Sequence, residues 1–285
     1  MNQRYPRRMT KMYKIVKKQE VTPHIYMLDV YAPAVAYKAL PGQFVIIRTN
    51  VHGERFPITI AGADPENGLV RIYVAEVGAS SRDLCAFKEG DSIMNFSGPL
   101  GNTAPIKNYG TVLFVGNAAF VGAQLFITKA LKNEGNKIIT VVSSRRKEEL
   151  FLVDELKALS DEIFVVTEDG EEGHSFFSFL DPYISGKKVD HVLTIGSTSM
   201  QKIISEKTKP FEIPTTVNLF PIMVDGTGMC GACRVTVGGA TRFACVDGPD
   251  FDGHKVDFDE LISRMRYYTS QEKIAAVLQE KGVIQ

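Results

Sequence analysis

The chain of 285 residues contains no tryptophan, only four cysteines and no net charge. A neutral chain has no strong electrostatic attraction for nucleic acid or for a membrane surface, so we expect neither as a partner. No apolar run approaches the ~20 residues that span a bilayer, and the basic N-terminus lacks the apolar core of a secretion signal. We therefore expect a cytoplasmic protein whose thiols stay reduced.

Three of the four cysteines lie close together in the C-terminal third of the chain. Cys230 and Cys233 form a Cys-x2-Cys pair, and Cys245 follows after eleven residues. The plant-type 2Fe–2S spacing is Cys-x4-Cys-x2-Cys with a distant fourth cysteine, and Asp225 stands where its first cysteine would be. The pattern predicts a 2Fe–2S cluster held by Asp225, Cys230, Cys233 and Cys245. A hard carboxylate ligand should shift the redox potential and make it pH-sensitive.

Two other interpretations of these cysteines remain open. Three cysteines and one aspartate are also a ligand set for structural zinc, although a zinc ribbon usually repeats its Cys-x2-Cys knuckle. A disulfide would leave an odd thiol in the segment. Cys85 has apolar neighbours in the sequence, and we expect it to be a small buried side chain.

The chain divides into segments with different patterns. Short alternating runs at 25–30, 43–48 and 69–75, separated by turn formers, predict an antiparallel β-barrel over residues 12–104. Strands alternating with helices predict an α/β unit with a parallel sheet over 109–220. The predicted strands of this unit are 111–115, 137–143, 162–167, 190–195 and 215–219, and its predicted helices are 119–133 and 148–159. A small cluster domain follows over 221–262, and a helical tail over 263–285.

Two segments of the predicted barrel suit a phosphate-bearing cofactor. A strand that begins Arg-x-Pro-x-Thr places the cation of Arg55 near the rigid Pro57 and the hydroxyl of Thr59, and the planar arginine fork suits a phosphate. Residues 77–82 supply small side chains, hydroxyls and backbone N–H groups, which suit a pyrophosphate.

In this order, the three units resemble the ferredoxin–NADP reductase superfamily. The runs 221–235 and 243–254 are most similar to the small electron-transfer subunit of the NADH-dependent reduced ferredoxin:NADP oxidoreductases, also called the sulfide dehydrogenase β-subunit type. The resemblance covers about 12–267. The electron-transfer subunit of dihydroorotate dehydrogenase has the same layout but four cysteines, so Asp225 favours the first family.

The resemblance implies an iron–sulfur flavoprotein that acts as the small subunit of a heteromeric NAD(P)H-dependent oxidoreductase. Electrons would pass between NAD(H), FAD and the 2Fe–2S cluster to a larger subunit with its own FAD and 4Fe–4S clusters, which could bifurcate electrons and reach ferredoxin indirectly. FAD would be held by Arg55, Pro57, Ile58, Thr59, Gly78, Ser80 and Ser81, and the nucleotide by Gly116 and Arg145. We expect no catalytic side chain, because hydride transfer to a flavin needs no protein acid or base.

The nucleotide loop departs from the family pattern. Where the family has a glycine-rich turn, residues 116–123 read Gly-Asn-Ala-Ala-Phe-Val-Gly-Ala, and Phe120 replaces a glycine that lets the backbone approach a pyrophosphate. In one interpretation the remodelled loop still binds NAD(H). In another, the protein is an electron-transfer adapter that has lost the nucleotide. In a third, it is a dihydroorotate dehydrogenase partner. Gly116 and Gly122 are also explained by tight packing alone.

Three histidines are candidate site residues, His174, His191 and His254. His191 opens an apolar strand, which favours packing over catalysis. His254 lies near the cysteines in sequence, where a hydrogen bond and a surface position are both open. His174 and the acidic turn at 168–170 complete the polar candidates of this region.

Overall fold

A computed structural model describes residues 13–167 and 180–280. His174 and the acidic turn at 168–170 lie outside the described residues.

Two antiparallel sheets form the N-terminal unit and enclose one apolar core. The first sheet has the strand order β1-β2-β6-β5 and the second β4-β3-β7. Their strands are β1 (Lys14–Thr22), β2 (Ile25–Tyr31), β3 (Phe44–Arg48), β4 (Phe56–Thr59), β5 (Gly62–Asp64), β6 (Leu69–Ala75) and β7 (Asn95–Leu100). The short helices α1 (Pro33–Ala36) and α2 (Ala79–Ala86) flank them. Both sheets bury β-branched and aliphatic side chains between them, and the predicted antiparallel barrel-like unit is confirmed.

Parallel strands form the second unit. Its strands are β8 (Thr111–Asn117), β9 (Lys137–Ser144), β10 (Glu162–Thr167), β11 (His191–Ile195) and β12 (Thr215–Asn218). Its helices are α3 (Val121–Asn133), α4 (Val153–Leu159), α5 (Asp181–Ile184) and α6 (Thr198–Thr208). The central strands are buried on both faces, as expected for a sheet with helices on either side. The predicted parallel-sheet unit is confirmed.

One predicted helix begins later than the sequence pattern indicates. The prediction was 148–159, but α4 starts at Val153 after a 3₁₀ turn over Lys147–Glu149. Leu152 adopts a left-handed backbone with φ 58°, which no continuous right-handed helix can contain.

The sheet order creates a crevice at one edge. The strands run β10-β9-β8-β11-β12, followed by the antiparallel β15 (Asp250–Asp252). From β8 the chain adds β9 and β10 on one side and then β11 and β12 on the other, so the strand order reverses between β8 and β11. In open α/β sheets, ligands bind at the carboxyl ends of the strands at such a switch point.

The C-terminal unit is built on a two-stranded ribbon and two helices. These are β13 (Arg234–Val237), β14 (Ala240–Phe243), α7 (Phe258–Met265) and α8 (Thr269–Glu280). Its loop over 224–233 packs on the barrel, where Phe44 and Ile46 share a buried cluster with Cys233 and Cys245. Gly226 permits this approach, because a Cβ there would lie 2.7 Å from Leu100 and φ is +76°.

Within the described residues, no helix combines the length and apolar character that crossing a membrane requires.

Candidate functional site

The loop that carries the cluster candidates is organised around the carboxylate of Asp225. Its Oδ2 accepts hydrogen bonds from the backbone N–H groups of Met229 at 3.1 Å and Cys230 at 3.2 Å. Thr227 donates both its N–H and its hydroxyl to the same carboxylate. Glycines at 226, 228 and 231 take positive φ, so the chain can curl tightly enough for these N–H groups to converge.

The four predicted ligands are arranged as two pairs. The Sγ atom of Cys230 lies 3.2 Å from Oδ1 of Asp225, and the Sγ atoms of Cys233 and Cys245 are 3.2 Å apart. A 2Fe–2S cluster has two irons and takes two protein ligands on each. The donor set therefore fits such a cluster, and Asp225, Cys230, Cys233 and Cys245 are the residues that would hold it.

The other interpretations of the cysteines fit less well. Among the described residues, no three His, Cys, Asp or Glu side chains come close enough to hold a single metal ion, which a zinc site would need. All four cysteines are described and all are free thiols, so the structure contains no disulfide among them. Cys85 is buried in the barrel core as expected, and burial raises the pKa of its thiol to about 12.

The protonation of the ligands follows from their surroundings. Burial, followed by the neighbouring Cys233, raises the pKa of Cys245 to about 12. For Asp225, burial opposes ionisation, but the hydrogen bonds from Cys230 and Thr227 outweigh it and lower the pKa to about 2. The Asp225 carboxylate is thus ionised at neutral pH, as a metal ligand must be, whereas the Cys245 thiol would become a thiolate only with a metal to compensate its charge.

The predicted flavin segments lie close to strand β6. β4, which carries Pro57, Ile58 and Thr59, packs near β6, and α2 begins just beyond the end of β6 and packs against it. Arg55 is exposed immediately before β4. A Cβ added at Gly78 would meet no described atom within 4 Å, so open space lies in front of the first turn of α2.

Within this segment the structure gives the two serines different surroundings. The hydroxyl of Ser81 is buried, accepts from the N–H groups of Val77 and Gly78 at 3.0 Å, and donates to the carbonyl of Gly78. It therefore shapes the start of α2 and faces the backbone, whereas Ser80 remains partly exposed. A phosphate here would meet backbone N–H groups at a helix N-terminus.

The crevice between β8 and β11 is bridged by a side chain. Oδ1 of Asn117 accepts from the backbone N–H of Ser197 at 3.1 Å, and its Nδ2 lies 3.4 Å from the Ser197 hydroxyl. A Cβ at Gly196 would lie 2.0 Å from Asn117 Oδ1. Asn117 thus links the two strand ends between which a dinucleotide would bind.

Phe120 lies beside the same crevice, in the turn between β8 and α3. Its ring meets Phe220 edge-on at 5.5 Å between centroids, and Phe220 meets Phe44 of the barrel at 5.8 Å. The side chain therefore joins the nucleotide loop to the core shared by barrel and cluster domain.

The two glycines of this loop have packing roles. A Cβ at Gly116 would lie 2.3 Å from Oε1 of the buried Gln124, and one at Gly122 would lie 2.1 Å from the ring of Tyr73. Gly122 thereby lets α3 approach the barrel. Arg145 is exposed after β9, and its N–H donates to Glu149 at 3.2 Å.

Neither His191 nor His254 lies at the predicted cluster ligands. His191 stacks on Tyr109 at 4.1 Å, bonds Thr216 at 2.9 Å, and has its pKa lowered to about 4 by burial and by Lys107. The expectation that it is packed is confirmed. His254 bonds the Thr208 hydroxyl at 2.8 Å and so faces α6.

A cavity of about 500 Å³ beside Cys230 was missed by the sequence reasoning. It is lined by Pro221, Ile222, Cys230, Ala232, Arg234, Leu261, Arg264, Met265, Tyr267 and Tyr268. The signal in the sequence is the mixture of cations and aromatics at 264–268, a segment whose pattern predicts only a helical tail.

Known proteins share both the cluster segment and the whole layout. Residues 221–257 match the iron–sulfur cluster binding domain of dihydroorotate dehydrogenase B. A homologue of the dihydroorotate dehydrogenase B (NAD(+)) electron transfer subunit from Thermotoga maritima is 46% identical over 268 residues, which cover 93% of this chain and 95% of that protein. The chain belongs to this family of electron-transfer subunits. The small-subunit resemblance stated from the sequence is confirmed.

Solved structures agree with this membership. The electron-transfer subunit superimposes with a TM-score of 0.87 on a chain of the NADH-dependent reduced ferredoxin-NADP oxidoreductase, studied for flavin-based electron bifurcation. The two are 43% identical, with 96% of this chain and 98% of that chain covered. Phthalate dioxygenase reductase shares the fold at 17% identity, with a TM-score of 0.58 over 79% of this chain and 85% of that one.

Proposed function

We propose that this electron-transfer subunit takes reducing equivalents from NADH and delivers single electrons to a larger partner subunit. When bound, FAD would supply the exchange between two-electron and one-electron chemistry, and a 2Fe–2S cluster would carry the single electrons. Arg55, Gly78 and Ser80 would hold the flavin phosphates. Asp225, Cys230, Cys233 and Cys245 would ligate the cluster.

The observation that carries this proposal is the core shared by the flavin strand and the cluster loop. Phe44 of β3 pairs with Thr59 of β4, which belongs to the predicted flavin segment. The same Phe44 lies in one buried cluster with Cys233 and Cys245. Both cofactors would therefore lie close together around a single packed core, which gives electrons a short path and excludes water from it.

The exposed side of the cluster loop supports delivery to another protein. Cys230 is exposed, and Met229 beside it is 89% exposed. Val224 and Val246 are also largely exposed on this side. Apolar groups grouped on a surface mark interaction sites. We propose that the larger subunit docks here, carries its own FAD and 4Fe–4S clusters, and passes electrons on to NADP(H) and ferredoxin.

An anaerobic titration tests the electron donor. The purified protein is mixed with NADH and then NADPH while flavin and cluster absorbance are followed, with dithionite as the reference for full reduction. We expect bleaching at stoichiometric NADH. Bleaching by dithionite alone would contradict a nucleotide donor.

A second candidate function is favoured by the side chains in the crevice. Asn117 bridges the strand ends and Phe120 packs on Phe220, so two side chains occupy the region where a nicotinamide nucleotide would lie. In this alternative the protein is an adapter that exchanges electrons only with other proteins. A flavin and cluster that respond to dithionite and to neither nucleotide would support the adapter.

Co-purification separates the remaining alternative. A large flavin and 4Fe–4S subunit recovered with the chain supports the first proposal, whereas a barrel-shaped dihydroorotate dehydrogenase would make the chain that enzyme's electron-transfer subunit.

A further inference from the structure

The C-terminal helix α8 returns to the barrel after leaving the cluster domain. α7 packs on the cluster domain through Phe258 and Leu261, which share a buried cluster with Val235. The chain then turns at Tyr267 and Tyr268, and α8 comes to lie beside α2, with Cα atoms of the two helices within 8 Å. The segment thus spans from the cavity beside Cys230 to the first predicted phosphate-binding helix.

The apolar side chains of α8 are poorly covered at this position. Ile274 is 60% exposed and Val277 is 47% exposed, and the two lie three residues apart, on one side of the helix. Val77, at the start of the α2 segment, is 83% exposed. A helix that docks on protein normally buries its apolar stripe. Here Ile274 and Val277 remain exposed on a helix that lies beside α2, and the residue before α2, Gly78, faces open space.

We propose that α8 covers the adenylate part of FAD, with Ile274 and Val277 against the adenine. This inference rests on the proposed function, because it takes α2 as the pyrophosphate site. A flat, largely apolar ring joined to a phosphate at the N-terminus of α2 matches both the open space and the chemistry of the exposed groups. The C-terminal helix then acts as a strap that selects FAD over FMN, which has the same flavin but no adenylate.

Flavin affinity tests the strap directly. The flavin is removed from the full-length protein, and FAD and FMN are titrated separately while flavin fluorescence is recorded. Ile274→Asp and Val277→Asp place a charge against the adenine, so FAD should bind at least tenfold more weakly while FMN affinity stays within twofold. Leu40→Asp is the matched control. Leu40 is comparably exposed but lies near α1, which packs at the other end of β6. This variant should change the affinity for neither flavin.

Each outcome has a definite meaning. Unchanged FAD affinity in both variants, or an equal loss for FMN, overturns the strap. If FAD affinity is unchanged and the variants instead lose a co-purifying large subunit, α8 covers that partner and the proposal is wrong. A wild-type chain that binds neither flavin would refute the proposed function itself. A stop codon after Tyr268 removes α8 completely and should reproduce the loss of FAD selectivity.

Discussion

The carboxyl group of Asp250 lies between the cluster domain and the parallel sheet, in surroundings that favour its protonated form. Asn218 Nδ2 donates to Asp250 Oδ1 at 2.8 Å, yet Asp250 Oδ2 and Asn218 Oδ1 are buried with no hydrogen-bond partner among the described residues. Burial raises the pKa of Asp250 to about 7. A proton on the carboxyl supplies the donor that this pair lacks.

This pair predicts a stability that falls as the pH rises towards neutrality. Between pH 3.8 and about pH 7, the folded state holds a proton that the unfolded state has released. The contribution of this proton to the free energy of unfolding is therefore present at low pH and is lost as the pH rises to about 7. The difference corresponds to roughly 4 kcal/mol. Asp250→Asn supplies a permanent donor and should flatten the dependence, with higher stability than wild type at pH 8. Urea denaturation of both proteins between pH 5.5 and 8.5 measures this pH dependence of the free energy of unfolding.

The control for this experiment is Asp252→Asn. It removes the same charge from the same strand at an exposed position. Its pH slope should match wild type even if its stability differs. A wild-type slope in Asp250→Asn would show that Asp250 is not the group that titrates.

Asp225 is the residue that distinguishes this cluster site from one with four cysteines. We expect Asp225→Cys to retain the 2Fe–2S absorbance, because the substituted residue still offers a ligand beside Cys230. The midpoint potential should move by more than the ~59 mV of a tenfold change in a one-electron equilibrium, since a soft thiolate replaces a hard carboxylate. Redox titration followed by electron paramagnetic resonance measures the shift.

Asp247→Cys is the matched control for the ligand exchange. Asp247 is exposed near the cluster loop and accepts a hydrogen bond from the N–H of Phe243 at 2.7 Å. The variant therefore replaces a carboxylate with a thiol at a position that is not a predicted ligand. Its midpoint should equal that of wild type. An unchanged midpoint in Asp225→Cys would remove Asp225 from the ligand set.

At the scale of elements, the turn between β8 and α3 contains a backbone conformation that favours glycine, at an alanine. Ala118 takes a left-handed φ of 51°, a conformation that glycine adopts without strain. A 3₁₀ turn over Ala118–Phe120 then leads into α3. The turn therefore keeps one left-handed residue without glycine at that position, and the side chains of Asn117 and Phe120 lie beside it.

Removing the Phe120 ring should reopen the crevice. We predict that Phe120→Gly strengthens nucleotide binding by about tenfold, because loss of the ring frees the space beside Phe220. Calorimetry with NADH and NADPH measures the affinity. Ala119→Gly controls for added flexibility in the same turn and should leave the affinity unchanged. If Phe120→Gly binds no better than wild type, Phe120 is not the obstacle.

Helices and strands with a clear hydrophobic period were predictable from the sequence, whereas contacts between distant segments were not. β6 and β10 have the predicted bounds because their apolar runs end in turn formers. The late start of α4 could not be predicted, because a leucine at position 152 does not indicate a left-handed backbone. Likewise, the contact of the Phe120 ring with Phe220 joins residues a hundred positions apart, which no local pattern contains.

At the scale of the whole molecule, the cluster and the C-terminal helices form one exposed face. Arg234 and Arg264 line the cavity beside Cys230, and each donates to a carbonyl of the cluster loop, Gly231 at 2.9 Å and Ala232 at 3.4 Å respectively. Tyr267 and Tyr268 are exposed at its rim. Arginine and tyrosine are enriched where interfaces concentrate binding energy. The face thus places the proposed exit for electrons, at Cys230, beside groups suited to an acidic segment of a partner.

Charge reversal at this cavity should weaken the complex with the larger subunit. Arg264→Glu places a negative charge where an acidic partner segment would bind, so we expect at least tenfold weaker association and an altered salt dependence. Arg266→Glu makes the same change two residues away, outside the cavity lining, and should have a much smaller effect. Flavin reduction by NADH or dithionite should remain normal in both variants, because neither arginine lies in the flavin segments. The measurement is the affinity between the purified subunits at several salt concentrations. Equal weakening by both variants would mean that net charge alone, and not this cavity, guides docking.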